Sequence, residues 1–136
     1  MNTFHAYLLA VAAMAASPLL AHADGDPAVG TGLYAARCAA CHSLEYNGVG
    51  PTHKGLIGRH AGTAQGYSYS EALKHSNVVW GEETLSRWLT EPEKFIPGQK
   101  MFISIPDARE RADIVAYLLQ AARPQTAAAI PTNPGQ

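Results

Sequence analysis

The sequence predicts an all-α domain of four or five short helices joined by long loops. Three features lead to that expectation. Apolar residues recur at helical spacing in short stretches, as at Ile114, Tyr117, Leu118 and Ala121. Glycine and proline crowd the segments between, most densely in NGVGPTHKGLIGRHAG from Asn47 to Gly62. The only two cysteines, Cys38 and Cys41, sit together in R-C-A-A-C-H-S, with no strand alternation around them.

The chain opens with AYLLAVAAMAASPLLA, from Ala6 to Ala21. Ala21-His22-Ala23 then forms an A-x-A site, followed by the polar Asp24-Gly25-Asp26. This is the layout of a signal peptide, residues 1–23, cleaved after Ala23. The rival is an uncleaved membrane anchor. The apolar run falls short of the ~20 residues a spanning helix needs, and Pro18 interrupts it. Its start carries no Lys or Arg, which departs from the usual pattern. An export signal on so short a chain points to a bacterial periplasm, an oxidising compartment. After cleavage no stable membrane insertion is expected.

Residues 24–122 then make one small domain with a modest core. Asp26-Pro27 reads as the N-cap and first residue of a helix running to about Cys38. Val29, Leu33 and Ala36 share one face of it, beside Gly30 and Tyr34. The Asn47–Gly62 stretch is loop. Ser68-Tyr69-Ser70-Glu71 matches a capping box and predicts a short helix. Trp80-Gly81-Glu82-Glu83 opens another through Leu85, Trp88 and Leu89, with Pro92 ending it. FIPGQKM, from Phe95 to Met101, is extended between Pro/Gly breakers, and a last helix spans about Pro106 to Ala122. Residues 123–136 form a Pro/Ala-rich tail, expected to be disordered.

The chain carries 10 Lys+Arg and 11 Asp+Glu, a formal charge of −1, without a basic run. That excludes nucleic acid as an expected partner, since phosphate binding needs clustered positive charge.

The cysteine spacing admits several chemistries. A zinc site needs further ligands, and no His or carboxylate pattern supplies them. A thioredoxin-like dithiol expects a βαβ setting. A disulfide between the two would close a very tight loop and stabilise little. With His42 next to Cys41, the motif reads as C-x-x-C-H, a haem attachment site. Each thiol adds to a vinyl group, and the adjacent imidazole is held against the iron. A covalently held porphyrin also supplies the apolar bulk that so thin a core lacks. Pro51's carbonyl is a candidate acceptor for the Nδ1–H of His42, which would fix its tautomer. For the second axial position His53, His60 and His75 compete with Met101. Met1 and Met14 leave with the signal peptide, and Met101 lies in a loop rather than on a helical core face. Met101 is therefore the expected ligand. A soft thioether favours Fe(II) and raises the potential.

These motifs, in this order, resemble the class I c-type cytochromes, and among them the branch close to mitochondrial cytochrome c. The residues carrying the likeness are CAACH (38–42), GPTHKGLIGR (50–59), GYSYSEALK (66–74), VVWGEETLSRWLTEP (78–92), FIPGQKM (95–101) and ERADIVAYL (110–118). The resemblance implies the class I cytochrome c fold around one haem c, thioethers at Cys38 and Cys41, and axial ligands His42 and Met101. It implies that Pro51 accepts from His42. It places Arg59, Tyr69 and Trp80 around the inner haem propionate, and Gly30 and Tyr34 at the crossing with the last helix. Leu73, Trp88 and Gln99 depart from the mitochondrial pattern of Asn, Tyr and Thr, and the lysine ring of that branch is missing. The expected function is a soluble, monomeric, periplasmic one-electron carrier. Its expected partners are a quinol-oxidising complex or dehydrogenase on one side and an oxidase or reductase on the other. The alternative is a haem enzyme or gas sensor, peroxidase-like, with an openable axial site.

Overall fold

The computed structural model describes residues 24–124. The expected signal peptide and nearly all of the expected tail lie outside them. Five helices follow in order: α1 Pro27–Arg37, α2 Glu71–Lys74, α3 Glu82–Thr90, α4 Pro92–Phe95 and α5 Ala108–Ala121. Among the described residues the only strand-like pairing is a single bridge between His60 and Val79. No described helix is long and apolar enough to cross a membrane.

The fold rests on the crossing of α1 with α5. Asp26 starts α1 by accepting from the amides of Ala28 at 2.8 Å and Val29 at 3.4 Å, ahead of Pro27. At Gly30 the helices meet backbone to backbone: a β-carbon there would lie 2.0 Å from the Asp113 carbonyl oxygen. One turn on, Tyr34 fills the crossing against Tyr117, ring centroids 5.1 Å apart. Asp113 is buried, yet both its needs are met. Its carboxylate accepts from the Asp26 amide at 2.7 Å and pairs with Arg109 at 3.3 Å. Asp107 caps α5 through the Glu110 amide, so that helix begins at Ala108, not Pro106. Ile114, Val115 and Leu118 turn inward from α5 and are almost wholly buried. Each such side chain contributes about 1.5–3 kcal/mol by leaving water.

The structure also departs from the sequence expectation at α2 and after α3. The cap of α2 is Ser70, not Ser68: its hydroxyl accepts from the Leu73 amide at 3.3 Å. The S-x-x-E pattern at Ser68 is met on paper, but Ser70 is the serine that is buried against the helix start. Pro92 does more than end α3. It is the first residue of α4, where its missing N–H costs nothing. The chain bends at Glu91, and Arg87 of α3 lies 4.6 Å over the ring of Phe95.

Leu85 and Leu89, one turn apart on α3, face inward with Leu56, Leu73, Trp80, Ile105 and Leu118. These side chains belong to one core cluster. They line an internal cleft of about 380 Å³.

Candidate functional site

The cleft begins where α1 ends. Cys38 is the C-cap of α1, its amide donating to the Tyr34 carbonyl at 2.8 Å. The chain then turns tightly, and the amides of Cys41 and His42 both reach the Cys38 carbonyl, at 3.1 and 2.9 Å. Both cysteines are free, Cys38 partly buried and Cys41 exposed. Burial, and then the neighbouring Cys41, push the Cys38 thiol up to about 11. It is a neutral thiol at pH 7, the opposite of a redox dithiol's activated nucleophile. Among the described residues no group of three or more His, Cys, Asp and Glu gathers to hold a metal ion. The zinc reading therefore finds no ligand set.

His42 is oriented from the loop that follows. Its Nδ1 donates to the Pro51 carbonyl at 2.8 Å, which leaves Nε2 as the free nitrogen. Gly50 lies against the same ring, and a β-carbon there would sit 2.3 Å from Cε1. The loop is tied down around this contact. The Thr52 amide donates to Asn47 Oδ1 at 2.9 Å and its hydroxyl to the Ser43 carbonyl at 3.2 Å. Burial lowers the His42 pKa, and the Pro51 bond partly offsets this. The deprotonated nitrogen is what a metal needs.

Of the four candidates for a second ligand, two are out of reach. His60 and His75 are solvent-exposed and neither lines the cleft. His53 lines it, but on the His42 side, its ring stacked on that of His42 with centroids 4.2 Å apart. Burial, then His42, then Arg59 drive its pKa down to about 3, so it is a neutral imidazole at pH 7. Met101 lines the cleft from the loop after α4, partly buried and packed against the core. Gln99 accepts from the Met101 amide, and Glu93 holds that loop by accepting from the Gly98 amide at 2.9 Å and from Gln99 Nε2 at 3.3 Å.

Arg59, Tyr69 and Trp80 share the same cleft. Arg59 spends two nitrogens on backbone: Nη1 on Lys54 O at 2.7 Å and Nη2 on Thr52 O at 2.8 Å. Its Nε is buried and has no partner. The Tyr69 hydroxyl accepts from the Ala64 amide at 3.3 Å, leaving its proton to give. Trp80 is buried, packed edge-on against Trp88 at 5.4 Å.

Residues 27–122 match the family model described as cytochrome c. The chain belongs to the cytochrome c family. Its curated relatives include cytochrome c of Chlamydomonas reinhardtii, 46% identical over 71% of this chain and 90% of that protein. Cytochrome c2 of Rhodopila globiformis is 43% identical over 69% of this chain and 92% of its own length. Among solved structures, cytochrome cH from Methylobacterium extorquens is 48% identical, covers 70% of this chain and 98% of its own, and superposes with a TM-score of 0.66.

As a class I c-type cytochrome the chain binds haem c covalently and is an electron-transfer protein, not an enzyme. The cleft fits the group. A largely hydrocarbon lining suits a porphyrin face. Arg59, which lines the cleft and keeps a buried Nε without a partner, suits a propionate, since a buried donor without a partner is costly. Two free thiols beside an oriented imidazole suit the two vinyl groups and the iron.

Sequence reading missed what surrounds these residues. It treated His53 as a rival ligand, not a neighbour of His42. It did not foresee that Glu93 ties the loop carrying Met101. It also did not single out Val49, Phe102 and Ile103, which flank the cleft with Val49 77% and Phe102 95% exposed. The available signal was Phe102-Ile103 itself, two large apolar residues in a loop with no helical face to bury them.

Proposed function

We propose that this cytochrome is a monomeric one-electron carrier of the periplasm, exported by its first 23 residues and cleaved after Ala23. It takes electrons from a quinol-oxidising complex or a dehydrogenase and passes them to a terminal oxidase or reductase. One observation carries the reading of the site: Cys38, Cys41, His42 and Met101 all line one largely apolar cleft. The A-x-A site and apolar run support export.

In this reading each residue has one task. Cys38 and Cys41 would hold the porphyrin by thioethers, each S–H adding across a vinyl group with sulfur on one carbon and hydrogen on the other. His42 gives its Nε2 to the iron while Pro51 holds Nδ1–H. Met101 would give its thioether as the second ligand. Arg59 and Tyr69 hold a propionate, with Trp80 packed beside them. Bound haem supplies an iron that alternates between Fe(III) and Fe(II). The chain's part would be to supply two ligands, His42 and Met101, from a largely apolar cleft, leaving no ready place for oxygen or peroxide.

Expression of the whole chain in a bacterium with haem-maturation machinery tests this. The expected outcome is a haem-staining band on a denaturing gel, recovered from the periplasmic fraction, with Asp24 as first residue. Rapid reduction by quinol-charged membranes is expected. A five-coordinate resting iron, or ready carbon monoxide binding when reduced, refutes the carrier reading. A first residue of Met1 refutes the cleavage.

A further inference from the structure

The Pro51 carbonyl fixes one edge of the His42 ring. A single hydrogen bond at an edge leaves rotation about the terminal torsion soft. The face of the ring is held by something else. His53 lies 18° from parallel to it, in a stacked arrangement. His53 is itself tethered at both ends. Its amide donates to the carbonyl of Ser43, the residue after His42, at 2.7 Å. Its Nδ1 is 3.1 Å from the hydroxyl of Tyr34, which is buried against α5. A leucine would fill the same place without desolvating two ring nitrogens. What it would not offer is a flat face locked in orientation by a hydrogen bond.

We propose that His53, tethered by Tyr34, is a positioning residue for His42: it sets the plane in which the proximal imidazole meets the haem. The inference rests on His42 being the iron's ligand. It makes α1 part of the redox site, because Tyr34 connects the α1–α5 crossing to the ring that touches the metal. The plane of an axial imidazole decides how unpaired spin spreads over a ferric porphyrin. The spread of the haem-methyl proton shifts therefore reads ring orientation directly, whereas a packing role alone leaves it unmoved. A hydrocarbon in place of His53 also removes a polar group beside a centre that gains positive charge on oxidation. That favours Fe(II).

The test uses the haem-loaded whole chain and two variants, Tyr34→Phe and His53→Leu. Tyr34→Phe keeps the aromatic ring and loses only the tether. Both are expected to change the haem-methyl pattern of the ferric protein and to raise the midpoint potential, His53→Leu more. At the wild-type midpoint the Fe(II):Fe(III) ratio of His53→Leu should rise about threefold, or ~28 mV at 59 mV per tenfold. Variants that melt earlier but keep the wild-type methyl pattern and potential overturn the proposal and leave the pair as packing. If His53→Leu takes up no haem, Tyr34→Phe decides alone: an unchanged pattern overturns the proposal. Failure of the underlying haem reading would show separately, as absence of covalent haem in the wild type.

Discussion

Gly50→Ala should damage the site more than its single methyl suggests. The added β-carbon would lie 2.3 Å from His42 Cε1, 2.6 Å from Nδ1 and 2.7 Å from Nε2. Ordinary contact begins near 3.4 Å, so the ring must retreat by about 1.1 Å. It has nowhere cheap to go. A shift of that size breaks the 2.8 Å bond to Pro51 and pushes against the stacked His53. Overpacking costs about 1–3 kcal/mol, and a buried donor left unpaired costs about 1–3 kcal/mol more. A net loss of about 3 kcal/mol corresponds to ~12–24 °C in melting temperature for a domain of this size. Circular dichroism melting of the haem-loaded protein measures it, with the Soret band reporting on ligation. Gly32→Ala is the control. It makes the same chemical change on the exposed side of α1, with nothing within 4 Å of the new methyl. Helix propensity predicts that it stabilises by about 0.8–1 kcal/mol. Opposite signs for the two are the expected result. A Gly50→Ala protein that melts like wild type and keeps its spectrum would refute the reasoning.

Met101→Ala should open the iron site, lower the potential and create peroxidase-like activity; potentiometry and a peroxidase assay check this, and an unchanged methionine-type spectrum would overturn the assignment. At alkaline pH the wild type should lose its iron–sulfur charge-transfer band as a lysine replaces the thioether. Lys100→Ala should shift that change more than Lys94→Ala, because Lys94 is engaged with Glu91 at 2.7 Å. Asp113→Ala leaves the Asp26 amide and Arg109 without their partner, and should cost about 2–4 kcal/mol in urea unfolding while leaving the potential unmoved. Electron transfer to the native partner should depend weakly on salt, because Val49, Phe102 and Ile103 make the cleft rim apolar and the net charge is −1; stopped-flow rates that fall steeply between low and physiological ionic strength would contradict it.

Signals that lie within a few residues of one another were legible. Asp26-Pro27 predicts the start of α1 because a cap and a fixed φ act on adjacent residues. The inward run of α5 is legible because its burial follows one helical stripe. At Ser70 and Pro92 two local rules compete, and the expectation caught only one of them: the wrong serine as cap, and for Pro92 the end of α3 without the start of α4. Both Ser68 and Ser70 stand near the start of α2, and only packing decides which hydroxyl is turned to the helix. Pro92 satisfies the rule for ending one helix and the rule for opening the next. The sequence alone gives no weight to the second.

The site divides in the same way, but for a reason peculiar to a fold built around a guest. C-A-A-C-H is legible because both thiols and the imidazole must come from one turn. His53 was not, since its meaning arises from two partners 11 and 19 positions earlier in the chain, His42 and Tyr34. No periodicity runs through the loop that carries it. Arg59 shows the other limit. Two of its nitrogens are satisfied by carbonyls of its own loop, and the third has no partner in the chain. An interior completed by a porphyrin is bound to look deficient when read from protein alone. Its leucines pack in one cluster yet leave a cleft of about 380 Å³, and of its two buried donors without an acceptor, Arg59 Nε and Arg111 Nε, the first belongs to a residue that lines the cleft. The cleft and the unpaired Arg59 nitrogen belong together: a flat apolar ring carrying carboxylates would answer both. The unpaired Arg59 nitrogen and the open leucine-lined interior are thus a cast of the missing group, with an apolar face on one side and an acidic edge on the other.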